Sequence, residues 1–166
     1  MSSSIYLAAP LFTQAEIAFN QSLADQLKAA GYKVYLPQQE CAGTTDPVEL
    51  FNICIQGLDN ASMVLVILDG TDADSGSCFE VGYAFAKNIP IVGLRTDFRG
   101  SGEHMGVNLM LSNSCQHLLL TTSNIDSSPA KVTYLKMGEN FFPTLQEVLS
   151  KIPVAQTALI DQDFEI

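Results

Sequence analysis

The stretch Met63-Val-Leu-Val-Ile-Leu-Asp69 consists of six consecutive apolar residues followed by an aspartate. A run in which polar and apolar residues do not alternate predicts a strand that is covered on both faces, as in the middle of a parallel sheet. Four other short runs, several of them apolar throughout, have the same character. The five predicted strands are residues 4–9, 33–37, 63–69, 90–95 and 117–121.

Segments of helical character lie between these strands. Thr13 is a predicted N-cap with Glu16 as its capping-box partner, and Asp46 is a predicted N-cap before a proline at the first helical position. The predicted helices are residues 13–30, 47–60, 76–88 and 139–152. This alternation predicts a doubly wound α/β fold, flavodoxin-like or Rossmann-like, with a five-stranded, mainly parallel sheet and helices on both faces.

The length of 166 residues predicts a single domain, which we place at residues 1–152. Residues 153–166 have no clear periodicity and are expected to form a C-terminal extension. Two internal segments also lack a clear strand or helix pattern. Residues 97–114 are rich in Gly, Ser and Asn with a short apolar island, and residues 122–133 have the composition of a polar loop.

The chain is acidic, with 8 Lys and Arg against 18 Asp and Glu and a formal net charge of −10. An acidic surface repels nucleic-acid phosphates and anionic lipids, so neither a nucleic acid nor a membrane is an expected partner. The N-terminus lacks the charged start and long apolar stretch of a signal peptide, and no apolar run is long enough to span a bilayer. A cytoplasmic location is therefore expected.

The sequence predicts no metal and no cofactor. The four cysteines form no C-x-x-C pair, a reducing compartment argues against disulfides, and His104 and His117 are the only histidines. The turn after the first strand, Ala9-Pro10-Leu11-Phe12, has no Gly, Lys or Arg. Its backbone amides cannot close on a pyrophosphate as those of G-x-G-x-x-G do, which argues against dinucleotide binding.

The segment after the third predicted strand carries the densest group of carboxylates. Asp69, Asp72, Asp74 and Glu80 lie within twelve residues. Ligands of a doubly wound sheet bind at the carboxyl ends of its strands, so these side chains are expected to face one crevice. Two carboxylates in different environments are suited to breaking a glycosidic bond, because one attacks the anomeric carbon while the other protonates the leaving group.

Each of these residues also has a purely structural interpretation. Ser77-x-x-Glu80 is a capping box, so Glu80 either satisfies backbone amides or is a first-turn nucleophile that the helix dipole holds ionised. Asp74 is either the acid or a solvated loop residue, and Asp69 either starts a turn or binds sugar hydroxyls. Tyr6, in a buried strand, either belongs to the core or orients Glu80 through its hydroxyl.

Three short motifs follow one another along the chain. They are Ile5-Tyr6-Leu7-Ala8-Ala9-Pro10 with Phe12, Asp74-x-Gly76-x-x-x-Glu80-x-Gly82-Tyr83-Ala84, and Asn108-Leu109-Met110. Together they resemble the first strand and loop, the D-x-G-x-x-x-E-x-G-x-A signature and the N-L-M segment of the nucleoside 2-deoxyribosyltransferase family. The resemblance covers residues 4 to about 120.

The resemblance implies base exchange on 2′-deoxynucleosides. Glu80 would attack C1′, forming a covalent deoxyribosyl-enzyme and releasing the base, and a second purine or pyrimidine base would then attack with net retention. Tyr6 would position Glu80, and Asp74 would exchange protons with the leaving and entering bases. The other expected substrate-binding residues near these motifs are Asp69, Gly76 and Phe12.

The resemblance also implies assembly. Family members form homo-oligomers, commonly hexamers built from dimers. The chain is therefore expected to form a dimer-based homo-oligomer in which Asn108 and Met110 complete the site of a neighbouring subunit.

One position departs from the family pattern. Cys54 stands where many members carry an Asp that contacts the base. Gln38 or Gln39, just after the second predicted strand, is the expected replacement contact. The departure concerns base preference and leaves the proposed chemistry unchanged.

Two other functions share these residues. A relative that hydrolyses 2′-deoxynucleoside 5′-monophosphates uses the same nucleophile, but resembles a variant with a Gly-, Ser- and Arg-rich first loop where this chain has Ala-Ala-Pro-Leu-Phe. A non-catalytic nucleoside-binding module would use Glu80 only as a cap. The presence of both Asp74 and Glu80 argues against the binding module, because binding alone needs no desolvated carboxylate.

Overall fold

The computed structural model of the protein describes residues 3–99, 106–122 and 131–153. Apart from Pro153, the predicted C-terminal extension lies outside these residues. His104 and parts of the two predicted loop segments also lie outside them.

The described strands form one six-stranded parallel sheet in the order β2-β1-β3-β4-β5-β6. The strands are β1 (Ser4–Ala8), β2 (Lys33–Tyr35), β3 (Met63–Ile67), β4 (Ile91–Arg95), β5 (His117–Thr122) and β6 (Val132–Lys136). The predicted parallel α/β architecture is confirmed, but the predicted number of strands is wrong. The additional strand, β6, begins inside the segment predicted to be a polar loop, and as an edge strand it is only partly buried.

Helices connect the strands. They are α1 (Gln14–Ala29), α2 (Pro37–Glu40), α3 (Pro47–Asp59), α4 (Ser75–Ala86), α5 (Leu109–Ser114) and α6 (Phe142–Lys151). The four predicted helices correspond to α1, α3, α4 and α6, whereas α2 and α5 are too short to produce a periodic pattern. None of the described helices is both long enough and apolar enough to span a membrane.

The predicted helix starts at Thr13 and Asp46 are confirmed. Thr13 Oγ1 accepts from the Glu16 amide at 3.2 Å, and Glu16 Oε2 accepts from the Thr13 amide at 2.7 Å, which completes the capping box of α1. Asp46 Oδ1 accepts from the amides of Val48 and Glu49 at 2.8 and 2.9 Å and so caps α3. These side chains satisfy amides that have no partner inside the helix.

The sheet separates two hydrophobic cores. Ile5 and Leu7 of β1 face the core built with α1 and α6, whereas Tyr6 and Ala8 face the core built with α3, α4 and α5. All five residues of β3 are buried because both of its faces are covered. Burial on both sides explains the unbroken apolar run in this strand.

The strand order places a topological switch point between β1 and β3. From β1 the chain moves outward to β2 and then returns past β1 to β3, which pairs with the other edge of β1. In open α/β sheets the crevice outside the carboxyl ends of two such strands is the usual place for a ligand. β1 carries Tyr6, and the helix that follows β3 carries Glu80.

Candidate active site

Tyr6 and Glu80 form a hydrogen-bonded pair between the sheet and α4. Tyr6 is fully buried in β1, and its hydroxyl donates to Glu80 Oε1 at 2.5 Å. Glu80 is partly buried in the second turn of α4. The pair brings together two residues that are 74 positions apart in the sequence.

The capping-box interpretation of Glu80 is wrong. The N-cap of α4 is Asp74, whose Oδ2 accepts from the Ser77 amide at 2.9 Å and from the Ser77 hydroxyl at 3.3 Å. Ser77 is therefore inside the helix, and Glu80 lies beyond the first turn. The carboxylate of Glu80 is left to bond with Tyr6.

Burial controls the charge of Glu80. Desolvation, opposed by the hydrogen bond from Tyr6 and assisted by the nearby charge of Asp74, raises the pKa of Glu80 from 4.5 to about 7. The expectation that the helix dipole holds Glu80 ionised is wrong, since the residue lies outside the first turn and desolvation outweighs the stabilising contacts. Near neutral pH about half of the Glu80 carboxyls are ionised.

Tyr6 is itself held in a stacked arrangement. Its ring stacks on Tyr35 with 5.5 Å between ring centroids and 13° between ring planes. The Tyr35 hydroxyl donates to the backbone carbonyl of Ile53 in α3 at 2.7 Å. Burial, followed by the charge of Glu80 and its hydrogen bond, raises the pKa of Tyr6 far above its usual range, so the phenol remains a donor.

Tyr35 was not among the residues predicted for the site. A β-carbon at Gly57 in α3 would lie 2.3 Å from the Tyr35 ring, so only glycine lets the helix approach the ring this closely. A glycine in the middle of a predicted helix, where it costs stability, was the available signal.

A cavity of about 220 Å³ lies beside Glu80 between α3 and α4. Its walls are mostly apolar, with Glu80 as the one carboxylate among them. The lining residues are Leu50, Phe51, Cys54, Ile55, Leu58, Gly76, Phe79 and Glu80. The rings of Phe51 and Phe79 lie 6.1 Å apart and are 54% and 53% exposed, so a planar aromatic ligand can reach them from solvent.

Asp74 lies at the start of α4, close to this cavity. Gly76 lines the cavity, and a β-carbon on Gly76 would lie 3.0 Å from Asp74 Oδ2. Glu80 lies near enough for the charge of Asp74 to raise its pKa. The structure therefore brings Tyr6, Asp74, Gly76, Glu80 and Cys54 into one region.

Asp69 occupies a different place. Its carboxylate accepts from the Thr96 amide at 2.6 Å, the Thr96 hydroxyl at 2.5 Å and the Asp97 amide at 3.0 Å. These bonds tie the chain after β3 to the chain after β4. Asp69 also lines a separate cavity of about 310 Å³, beside Pro10 and α1.

The structure does not place Phe12 or Gln39 in the Glu80 cavity. Phe12 is 76% exposed just before α1. The Gln39 side chain donates to Gln21 Oε1 at 2.7 Å and accepts from Lys28 Nζ at 3.2 Å, so its amide is held against α1. Gln38 also bonds to this helix, donating to the Ile17 carbonyl at 3.0 Å.

Asn108 and Met110 lie on the far side of α4 from the Glu80 cavity. Asn108 caps α5 by accepting from the Met110 amide at 2.8 Å. Both residues line a groove of about 750 Å³ between α4 and α5, together with Phe85. The groove is larger than the Glu80 cavity, but Glu80 does not line it. The smaller cavity, which Glu80 does line, is therefore the candidate active site.

No metal site accompanies these residues. In the described ranges, no three His, Cys, Asp or Glu side chains are grouped in a way that could hold a metal ion. The chemistry available to the cavity is that of a partly buried carboxylate, its phenol donor and a second carboxylate nearby.

The fold is shared with solved structures of 2-deoxyribosyltransferases. The enzyme from Bacillus psychrosaccharolyticus is 20% identical, with a TM-score of 0.59 over 70% of this chain and 85% of that one. The enzyme from Leishmania mexicana is 22% identical, with a TM-score of 0.55 over 66% of this chain and 85% of that one. A CMP N-glycosidase from Clostridium botulinum is 14% identical, with a TM-score of 0.54 over 89% and 98% of the two chains.

The sequence match identifies the family more specifically than the similarity of fold does. No match was found among curated proteins. Residues 5–110, well over half of the chain, match the family model described as "Nucleoside 2-deoxyribosyltransferase", and this range includes Tyr6, Asp74, Glu80 and Asn108. The protein belongs to the nucleoside 2-deoxyribosyltransferase family.

Proposed function

We propose that the protein exchanges the base of 2′-deoxynucleosides through a covalent deoxyribosyl–Glu80 intermediate. The observation that carries this proposal is the Glu80 carboxylate, bound to Tyr6 at 2.5 Å and facing a mostly apolar cavity. Family membership supports the substrate class, and the two neighbouring carboxylates support the reaction type.

In the first step, an oxygen of Glu80 attacks C1′ of the deoxyribose. A C1′–O bond forms, the C1′–N bond breaks, and the electron pair of that bond leaves with the base. The Tyr6 hydroxyl holds Oε1, which fixes the orientation of the carboxylate during the attack.

Burial favours the covalent intermediate. The ionised carboxylate is destabilised in the cavity, as its pKa of about 7 shows. Formation of the uncharged ester removes that charge, so part of the desolvation cost is recovered when the C1′–O bond forms. The cavity therefore assists the nucleophile even though it lowers the ionised fraction at neutral pH.

Asp74 is the proposed proton donor to the leaving base and acceptor from the entering base. Both hydrogen bonds between Asp74 and Ser77 use Oδ2, so the helix cap does not require Oδ1, which we assign to the base. The second base attacks C1′ of the intermediate from the face that the first base left. Two inversions at C1′ give net retention.

We also propose that Asn108 and Met110 act across a subunit interface. Within one chain they lie on the side of α4 away from the Glu80 cavity, and Met110 is 69% exposed. An isologous or ring-forming contact would bring them to another chain's cavity.

Mixing inactive variants tests the shared site. If each site takes Glu80 from one chain and Asn108 from another, then Glu80→Ala and Asn108→Ala proteins mixed and reassembled as dimers regain about a quarter of the wild-type sites. No recovery on mixing, or a fully active monomer by light scattering, would contradict the shared site.

The proposed reaction is tested by chromatography of 2′-deoxyinosine incubated with free adenine. New 2′-deoxyadenosine is the expected product, and Glu80→Ala protein is the matched control that should produce none. A parallel incubation contains a 2′-deoxynucleoside 5′-monophosphate. Cleavage of the monophosphate alone would indicate an N-glycosidase instead, and no reaction with either substrate would indicate a binding module.

A further inference from the structure

Two half-buried thiols meet at the wall of the Glu80 cavity. Cys41 is the C-cap of α2, Cys54 lies in the middle of α3, and their sulfur atoms are 3.9 Å apart. Cys54 lines the cavity together with Glu80, whereas Cys41 is not among the lining residues. The proposed exchange reaction uses neither thiol.

The surroundings of the two cysteines allow the sulfurs to come together. A disulfide has an S–S distance of about 2.05 Å, so the two atoms must approach by roughly 1.9 Å. Cys41 ends a one-turn helix, and residues 42–46 after it form neither helix nor strand. Movement of this short segment, together with rotation of the Cys54 side chain, can close the gap while the backbone of Cys54 stays within α3.

The other two cysteines are placed differently. Cys78 Sγ lies 3.8 Å from the carbonyl of Ala73 and donates to it, and the buried Cys115 donates to the carbonyl of Leu111 at 3.2 Å. Of the four thiols in the chain, only Cys41 and Cys54 lie against one another.

We propose that Cys41 and Cys54 are a site of reversible disulfide formation at the wall of the active-site cavity. The oxidant is a low-molecular-weight disulfide such as oxidised glutathione. The thiolate of one cysteine attacks the reagent, forming a mixed disulfide and releasing one thiol. The second cysteine attacks the protein sulfur of that mixed disulfide and releases the second thiol, so two protons and two electrons pass from the protein to the reagent.

The chemistry of the two thiols makes the bridge slow to form and reversible. Burial, followed by the nearby Cys54 and Glu40, raises the pKa of Cys41 to about 11, so little thiolate is present at neutral pH and the bridge closes slowly. Disulfides that form in reducing compartments are generally transient. A slow and reversible bridge is consistent with the expected cytoplasmic location.

The bridge changes the environment of the nucleophile, and this consequence rests on the proposed function. Cys54 lies close enough to the Tyr6 hydroxyl to contribute to its raised pKa, and Tyr6 holds Glu80. Drawing the Cys54 sulfur toward Cys41 moves it relative to Tyr6 and to the cavity. A misplacement of about 1 Å at such a site lowers the rate by about ten- to a hundredfold.

The test uses the full-length reduced protein and oxidised glutathione at about pH 8, where thiolate is more abundant. After quenching and alkylation under denaturing conditions, mass spectrometry of the peptides reports which cysteines are linked. The expected result is a Cys41–Cys54 bridge that dithiothreitol reverses. Cys78→Ser protein, whose hydroxyl can replace the thiol as donor to Ala73, is the matched control and should still form the bridge.

Cys41→Ser protein should form no bridge and should keep its exchange activity after the same treatment. Four free thiols in the treated wild type, or glutathione attached separately to each cysteine, would overturn the proposal. A bridge that leaves the exchange rate unchanged would overturn its coupling to the site. If the bridge forms but neither the reduced nor the oxidised protein exchanges bases, the disulfide site stands and the proposed function fails.

Discussion

Replacing Tyr6 with phenylalanine removes one oxygen atom from a buried ring and leaves the stacking on Tyr35 in place. The lost bond runs from the phenol to Glu80 Oε1, and a hydrogen bond to a charged group contributes about 1.5–3 kcal/mol. Because this bond lowers the pKa of Glu80, its loss raises that pKa. At about 1.4 kcal/mol per pKa unit, the increase is about 1–2 units above the present value of about 7.

The nucleophile must be ionised, so the exchange rate rises with pH through the pKa of Glu80. At pH 7 the ionised fraction in Tyr6→Phe protein falls from about one half to between about a tenth and a hundredth, which lowers kcat/KM about five- to fiftyfold. Raising the pH to about 9 or above restores most of the loss.

The assay is the pH dependence of kcat/KM for exchange between 2′-deoxyinosine and adenine. The acidic limb should shift to higher pH in Tyr6→Phe protein. Tyr35→Phe protein is the matched control, because it loses the hydrogen bond to the Ile53 carbonyl while the bond between Tyr6 and Glu80 stays in place. The acidic limb of its pH profile should not shift. An unshifted limb in Tyr6→Phe protein would refute the role of this hydrogen bond.

Three further substitutions give measurable outcomes. Glu80→Gln should abolish exchange but stabilise the fold above pH 7. Because the pKa of Glu80 is higher in the folded state, the free energy of unfolding of the wild type falls by about 3 kcal/mol as the pH rises from 4.5 to 7. Glutamine cannot ionise, so the variant avoids this loss. Equal Tm values for the two proteins at pH 8 would contradict the burial argument. Asp74→Asn should keep the N-cap of α4 but lower the rate by about 10²–10⁴. An equal loss with substrates that have better leaving groups would argue against the acid role. Gly57→Ala should cost about 1–3 kcal/mol in chemical denaturation, because its β-carbon overlaps the Tyr35 ring. An unchanged denaturation midpoint would show that the ring moves freely.

The sequence carried most of the information about the fold. The apolar run of β3 and the capping residues Thr13 and Asp46 predicted buried strands and helix starts that the structure contains. β6 was not predictable in the same way, because the edge of a sheet buries only part of a strand and no continuous apolar run results. Local patterns report burial, and burial at an edge depends on strand order.

The sequence pointed to the contact between Tyr6 and Glu80 but not to the electrostatics around it. The orienting role of Tyr6 was one of two interpretations of a buried tyrosine and was also implied by the family resemblance, and the hydrogen bond between the two side chains agrees with it. The N-cap of α4 could not be predicted from the sequence. Asp74 and Ser77 both have a side-chain oxygen that can cap a helix, and packing on the sheet decides at which of them the helix begins. The pKa of Glu80 likewise depends on how deeply α4 seats against β1, which no local pattern records.

The division of the molecule into two cores also determines how the protein can be attached to a solid support. Lys28 and Lys151 lie in the last turns of α1 and α6, on the face of the sheet opposite the Glu80 cavity. Lys87, at the end of α4, bonds to Asp59, which raises its pKa and makes it a weaker nucleophile toward acylating reagents. Coupling through Lys28 or Lys151 would therefore attach the protein by the face opposite the cavity and leave the cavity open to solution.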